Sequence, residues 1–277
     1  MVRSWMLYGL AAIGLAAAIG LNFGQVMSTA EHSVQAQRLG SGSLETESRE
    51  EAGPRKQIAI VIDDFGNNMA GTKEMMELPV PFTAAIMPFL PTTKRDADWA
   101  HATGREVILH LPMEPVRGKK SWLGPGAITV DLSDDEIRRR VIAALDDIPH
   151  VAGINNHMGS RVTADARIMR IVLKICKERG IYYLDSRTTF KTVVPKLAAE
   201  IGVRTTGNDL FFDDSYSRKH IAGQVRKLQK RLKDDYPASV AIGHVGPPGL
   251  HTASLLKEAI PGMQTTAQFV VVSQLVK

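Results

Sequence analysis

One cysteine, Cys176, in 277 residues permits no internal disulfide. It falls inside a helical pattern as a core residue, so cysteine usage neither supports nor excludes an oxidising compartment. Aromatic residues make up only 6% of the chain and are not interleaved with Lys and Arg, which removes the stacking platforms of a single-stranded nucleic-acid groove. The excess of 34 basic over 29 acidic residues is small and dispersed, so nucleic acid is not an expected partner. No Gly-rich phosphate loop follows a strand, and neither a nucleotide nor an organic cofactor is expected. What remains is an ordinary globular composition, long enough for one large core or two small ones.

One long uncharged run stands at the amino terminus. Arg3 precedes Trp5 to Val26, rich in Ala, Gly, Leu and Ile and long enough to cross a bilayer as a helix. Residues 1–27 are therefore expected to be an uncleaved signal anchor; the alternative is a signal peptide cut after Ser28-Thr29-Ala30. Residues 28–56 are polar, mixed in charge and rich in Gly, Ser and Glu, which predicts a flexible linker. The remainder, 57–277, is expected in the periplasm, anchored to the inner membrane or secreted after cleavage.

From Ile58 onward, apolar runs and helical patterns alternate some seven times without a break in composition. Strands are predicted at 58–62, 82–87, 106–110, 151–154, 181–184, 239–243 and 269–272, with weaker signals at 203–205 and an ambiguous stretch at 208–214. Helices are predicted between them, among them 134–147, opened by the Ser133/Glu136 capping box, and a long basic helix from Arg218 to Tyr236. This rhythm predicts one α/β domain, a parallel sheet with helical crossovers in a barrel-like arrangement. The Pro- and Gly-rich stretch 111–130 is too irregular for an element and too long for an idle connection.

The strands end in polar residues. Ile58 to Ile62 is an apolar run that runs into Asp63-Asp64-Phe65-Gly66, which reads either as a cap and turn or as a site. The later strands end at His110 with Glu114 four residues on, at Asn156-His157, at Asp185 and at His244. In a barrel these groups gather at one rim, where ligands bind. Asp, His and Glu are ligands for a zinc-like divalent ion, and a catalytic site commonly uses three of them and keeps a position open. A neighbouring carboxylate then takes the proton of water, and a histidine opposite protonates the leaving group.

The order of these motifs resembles the polysaccharide deacetylases, and more closely the divergent, bacterial exported branch of the NodB-like carbohydrate esterases, over residues 56 to 277. Ile62-Asp63-Asp64-Phe65-Gly66 is similar to the opening motif, which implies Asp63 as base and Asp64 as metal ligand. His110 matches the first metal-binding histidine, whereas Glu114 stands where the second would be, and no Arg-x-Pro motif is found. Asn155-Asn156-His157-Met158-Gly159-Ser160 resembles the signature of the divergent branch and offers His157 as the displaced ligand. Gly243-His244 implies the histidine acid.

The resemblance thus implies a NodB-like distorted (β/α) barrel of about seven parallel strands. It implies a metal-dependent deacetylase of an envelope or extracellular glycan, with zinc as the expected ion. Glu114 and Asp185 are further expected as ligands or as partners orienting a histidine. Asn156, Arg161, Arg187 and Trp122 are candidates for orienting Asp63 or touching substrate; surface ion pairing for the arginines, and a loop-pinning role for Trp122, remain open. Substitution at a motif position is also what an inactive, glycan- or partner-binding protein on this scaffold would show, and an esterase or amidase on a non-sugar substrate is a third reading.

Overall fold

The computed structural model describes residues 56–277 apart from 235. The expected anchor and nearly all of the expected linker lie outside the described residues, and no described helix is long and apolar enough to cross a membrane. The domain alternates β1 (Lys56–Phe65), α1 (Thr72–Met76), β2 (Thr83–Ile86), α2 (Thr93–Ala102), β3 (Glu106–Met113), α3 (Asp134–Asp147), β4 (Val151–Met158), α4 (Ala166–Arg179) and β5 (Tyr182–Asp185). It continues through α5 (Val194–Ile201), β6 (Thr205–Gly207), β7 (Leu210–Phe211), α6 (Arg218–Arg231), β8 (Ala238–His244), α7 (Gly249–Gln264) and β9 (Ala267–Val270).

All nine strands join one sheet in the order β6-β5-β4-β3-β2-β1-β8-β7, with β9 also paired to β1. Every pairing is parallel. β6 and β7 stand at opposite ends of that order, yet only Asn208 and Asp209 separate them. The Asn208 N–H donates to Asp185 O on one end strand's neighbour, and the next N–H, of Asp209, donates to Val240 O on the other's. Three Cα steps span at most about 11 Å, so the sheet must curl until its ends meet around this segment. The result is a distorted barrel of parallel strands with helices outside.

The strands alternate between two cores. Ile58, Ile60 and Ile62 of β1 pack on the helix side, while Ala59 and Val61 face a separate interior cluster with Ile108, Tyr182, Leu184, Val240 and Ile242. A period of two then places the next interior-facing position of each strand at its carboxyl end: Asp63, His110 and His244. Below this rim the interior positions are apolar and buried.

Several boundaries differ from those expected. Lys56, assigned to the linker, and Gln57, ahead of the predicted strand 58–62, belong to β1 because β9 pairs with them. β3 and β4 extend three or four residues further, to Met113 and Met158, since each supplies the other's ladder up to Met113↔Met158. The basic helix ends at Arg231, short of the predicted Tyr236. The two-residue β7 is too short to carry an apolar run of its own.

Candidate active site

Adjacent residues of a regular strand face opposite sides, so Asp63 and Asp64 would not share a site without a distortion. β1 provides one. Its register with β2 passes from Ile62↔Ala84 to Phe65↔Ile86, three residues against two, and Asp64 takes up the extra residue at φ 71°. A left-handed backbone at a non-glycine residue is strained, and such strain concentrates at functional sites. Here it turns the Asp64 carboxylate onto the rim already faced by Asp63.

Parity on β4 is equally informative. Ile154 packs on the helix side, so Asn155 and His157 face inward, and the register sets Asn155 beside His110 and His157 beside Pro112. The buried Asn155 accepts a hydrogen bond from His110 Nδ1 at 2.7 Å and donates one to Asp63 Oδ1 at 2.9 Å. The accepted bond keeps the His110 proton on Nδ1, which leaves the Nε2 lone pair facing the cleft. The backbone oxygen of Trp122 acts likewise on His157 Nε2 at 3.1 Å, leaving Nδ1 bare.

These two lone pairs meet Asp64 Oδ1. His110 Nε2 lies 3.1 Å from His157 Nδ1, and Asp64 Oδ1 lies 3.3 Å from the first and 3.0 Å from the second. That oxygen is buried without a hydrogen-bond donor. Three lone pairs at such separations repel one another unless a positive charge lies among them. A tetrahedral ion with bonds of ~2.1 Å has ligand–ligand edges of about 3.4 Å, close to those observed, and three ligands leave one position open. Asp64, His110 and His157 therefore form a possible metal site, and their chemistry fits a divalent ion.

The same negative field acts on protons. Burial alone would raise the Asp64 carboxyl, but His110 and His157 beside it hold it well below the usual carboxylate range. Burial opposes charge on His110, yet Asp63 and Asp64 outweigh it and raise the imidazole. Asp63 lies 1% exposed, and burial raises its carboxyl despite the pull of His110 and His244. It is the more proton-avid of the two carboxylates.

Across the cleft, His244 Nε2 stands 4.0 Å from Asp63 Oδ2. His244 Nδ1 is bonded to Asp213 Oδ1 at 2.6 Å, and Asp213 Oδ2 accepts from the His244 backbone N–H and from Thr252 Oγ1. Burial works against the imidazolium, but Asp213 foremost, with Asp64 and Asp63, raises it to about 10. The open cleft around these groups encloses about 530 Å³, and Trp122 and Tyr216 lie along it. Both rings are more than half exposed.

Of the other residues singled out in the sequence, Asn156 and Trp122 line the cleft, whereas Glu114, Arg161, Asp185 and Arg187 do not. Glu114 spends one carboxylate oxygen on the Val130 N–H and the other on Arg161, so it staples the loop after β3 to the loop after β4, outside the Asp64–His110–His157 triangle. Arg161 is thereby directed to Glu114, not to Asp63. Asp185, also apart from the triangle, accepts from Arg187 N and Thr192 Oγ1. Arg187 donates to Asn208 O. Asn156 faces the helix side, where it binds Tyr183, Ser186 and Met158, although it reaches the cleft wall. Trp122 does more than pin its loop, since its carbonyl holds His157 while its ring stays exposed.

Asn155, Asp213 and Tyr216 were not singled out. Asn155 stood beside the favoured Asn156, and strand parity counted from Ile154 would have chosen between them. Asp213 lay in the ambiguous stretch 208–214, with no local signal that it would meet His244, 31 residues on.

Residues 60–276 match the family model of the divergent polysaccharide deacetylases. The chain is 33% identical to the YibQ protein of Escherichia coli over 191 residues, 69% of this chain but only 59% of that protein. It is 31% identical to a Haemophilus influenzae protein over 216 residues, 78% of this chain and 75% of the other. Among solved structures, a protein of Agrobacterium tumefaciens is 18% identical and superposes with a TM-score of 0.73, over 81% of this chain and 91% of its own; that likeness speaks to the fold. A family match spanning nearly the whole described domain, on a curled parallel sheet with this rim, means that the chain belongs to the divergent polysaccharide deacetylase family.

Proposed function

We propose that this chain is a metal-dependent hydrolase that removes acetyl groups from an envelope glycan, working in the periplasm from an amino-terminal anchor. The observation that carries this reading is the convergence of three bare lone pairs, from Asp64, His110 and His157, between a proton-avid Asp63 and a charged His244. Zinc suits two imidazoles and a carboxylate. When bound, it would polarise the acetyl carbonyl and acidify water.

The chain's own groups do the rest. Asp63 Oδ1 is held by Asn155, which leaves Oδ2 to take a proton from the attacking water. His244, kept charged by Asp213, gives its proton to the departing nitrogen or oxygen as the C–N or C–O bond breaks, and acetate and the free amine or alcohol leave. The low-dielectric interior beneath the rim strengthens each of these interactions. Trp122 and Tyr216 offer flat exposed faces on which a sugar ring can lie.

The test is acetate release from a panel of N- and O-acetylated glycans, acyl esters and acetylated peptides, with the zinc-supplied full-length chain. Asp63→Asn should retain the ion and lower release by about 10²–10⁴-fold. Wild-type protein that carries zinc and binds glycan, yet releases acetate from nothing in the panel, would instead be a binding protein on this scaffold.

A further inference from the structure

The outer face of α6 is rich in cations. Ile221, Val225 and Leu228 are its buried stripe, and at 100° per residue the opposite face carries Lys219, Arg226, Lys227 and Lys230. Among the described residues none of these four makes an ion pair. Many surface arginines elsewhere are matched, among them Arg138 with Glu178, Arg139 and Arg140 with Glu136, Arg167 with Asp134, Arg170 with Glu200 and Arg179 with Asp146; what sets α6 apart is that its unpaired cations share one face. Like charges three and four residues apart, as at Arg226, Lys227 and Lys230, destabilise a helix. Among the described residues no ion pair offsets that cost at these four positions.

A groove of about 520 Å³ runs along the start of this helix, lined by Ser215, Ser217, Lys219, His220, Gln224 and Lys227, with Gly223 keeping its floor low. No carboxylate is among its described lining residues; the Asp214 carboxylate stands behind the lining His220, bonded to its Nε2 at 2.6 Å. The groove adjoins the catalytic cleft. Asp214 and Tyr216 line the cleft, while Ser215 and Ser217 line the groove, so alternate residues of a single backbone segment form a shared wall. A polymer lying in the cleft need cross only that one segment to reach the lysines.

We propose that the α6 groove is a subsite for the anionic groups of the glycan, so that the substrate is an acidic polymer carrying carboxylate or phosphate along its backbone. Hydroxyl-lined, cationic and open, the groove suits a charged sugar chain, and its junction with the cleft favours a substrate over a lipid surface. This rests on the glycan-deacetylase reading, so the test reads binding and turnover separately.

Calorimetric titration of the full-length chain would compare hyaluronan octasaccharide, acetylated and acidic, with the neutral N-acetylglucosamine oligomer of equal length. The expected result is tighter, salt-sensitive binding of the acidic chain. In the double variant Lys219→Glu/Lys227→Glu, the acidic-to-neutral affinity ratio should fall by about tenfold, while Lys174→Glu on α4 should leave that ratio as in wild type. Equal affinities in wild type, a ratio that survives the double variant, or binding to phosphatidylglycerol vesicles without binding to the acidic chain, each overturns the subsite. Charge-dependent binding with no acetate release keeps the subsite and removes the hydrolase; release from the neutral oligomer with no preference for acid does the reverse.

Discussion

Asp213 offers both carboxylate oxygens to what surrounds it, one to the His244 ring and the other to the His244 backbone and Thr252. Its charge, against the opposing effect of burial, is the main reason the imidazole rises from 6.5 to about 10. A group whose pKa is raised on folding contributes stability that is fully present below its unfolded value and is lost as pH rises through its folded value. The His244–Asp213 pair therefore stabilises the fold fully below about pH 6.5 and ceases to do so through about pH 10. In Asp213→Asn the His244 titration followed by NMR should move down, and urea unfolding should lose less stability between about pH 7 and 10 than in wild type. If the two proteins show the same pH slope, the pair is not what holds the proton on His244.

At the scale of elements, the site depends on how loops let strand ends approach. Gly71, at φ 84°, precedes α1, and a Cβ there would lie 2.6 Å from the backbone carbon of Gly249, at the start of α7. Two backbones in contact cannot yield as a side chain would, and α7 follows directly on the strand that carries His244. Gly71→Ala should lower unfolding stability by about 2 kcal/mol or more, from the backbone strain and the clash together. Gly104→Ala, at φ 75° with nothing within 4 Å, carries the strain alone and should cost about 1 kcal/mol. Urea midpoints of the two variants measured side by side separate these effects; equal losses would show that the close approach of α1 and α7 carries no weight.

For the whole molecule, an ion bound by three side chains from β1, β3 and β4 ties strands distant in sequence and should stabilise the native state by mass action. At zinc about a hundredfold above its dissociation constant the gain is about 2.7 kcal/mol, or roughly 5–10 °C in melting temperature for a domain of this size. Chelation should remove it, and Asp64→Ala should melt at the same temperature with or without zinc. Much of this molecule was legible beforehand, because local chemistry decides it. Apolar runs of β-branched residues specify strands, their regular alternation with helices requires a parallel sheet, and Asp63, Asp64, His110, His157 and His244 stand out as polar residues where such strands end. Partnership was not legible, because it depends on register and curvature between segments far apart in the chain. Only the folded sheet set Asn155 against Asp63, 92 residues away, drew Asp213 to His244, and spent Glu114 on a loop. The sequence by itself determined which polar residues stand at strand ends; the bulge at Asp64, strand parity on β4 and the curl of the sheet decided which of them face the cleft and meet.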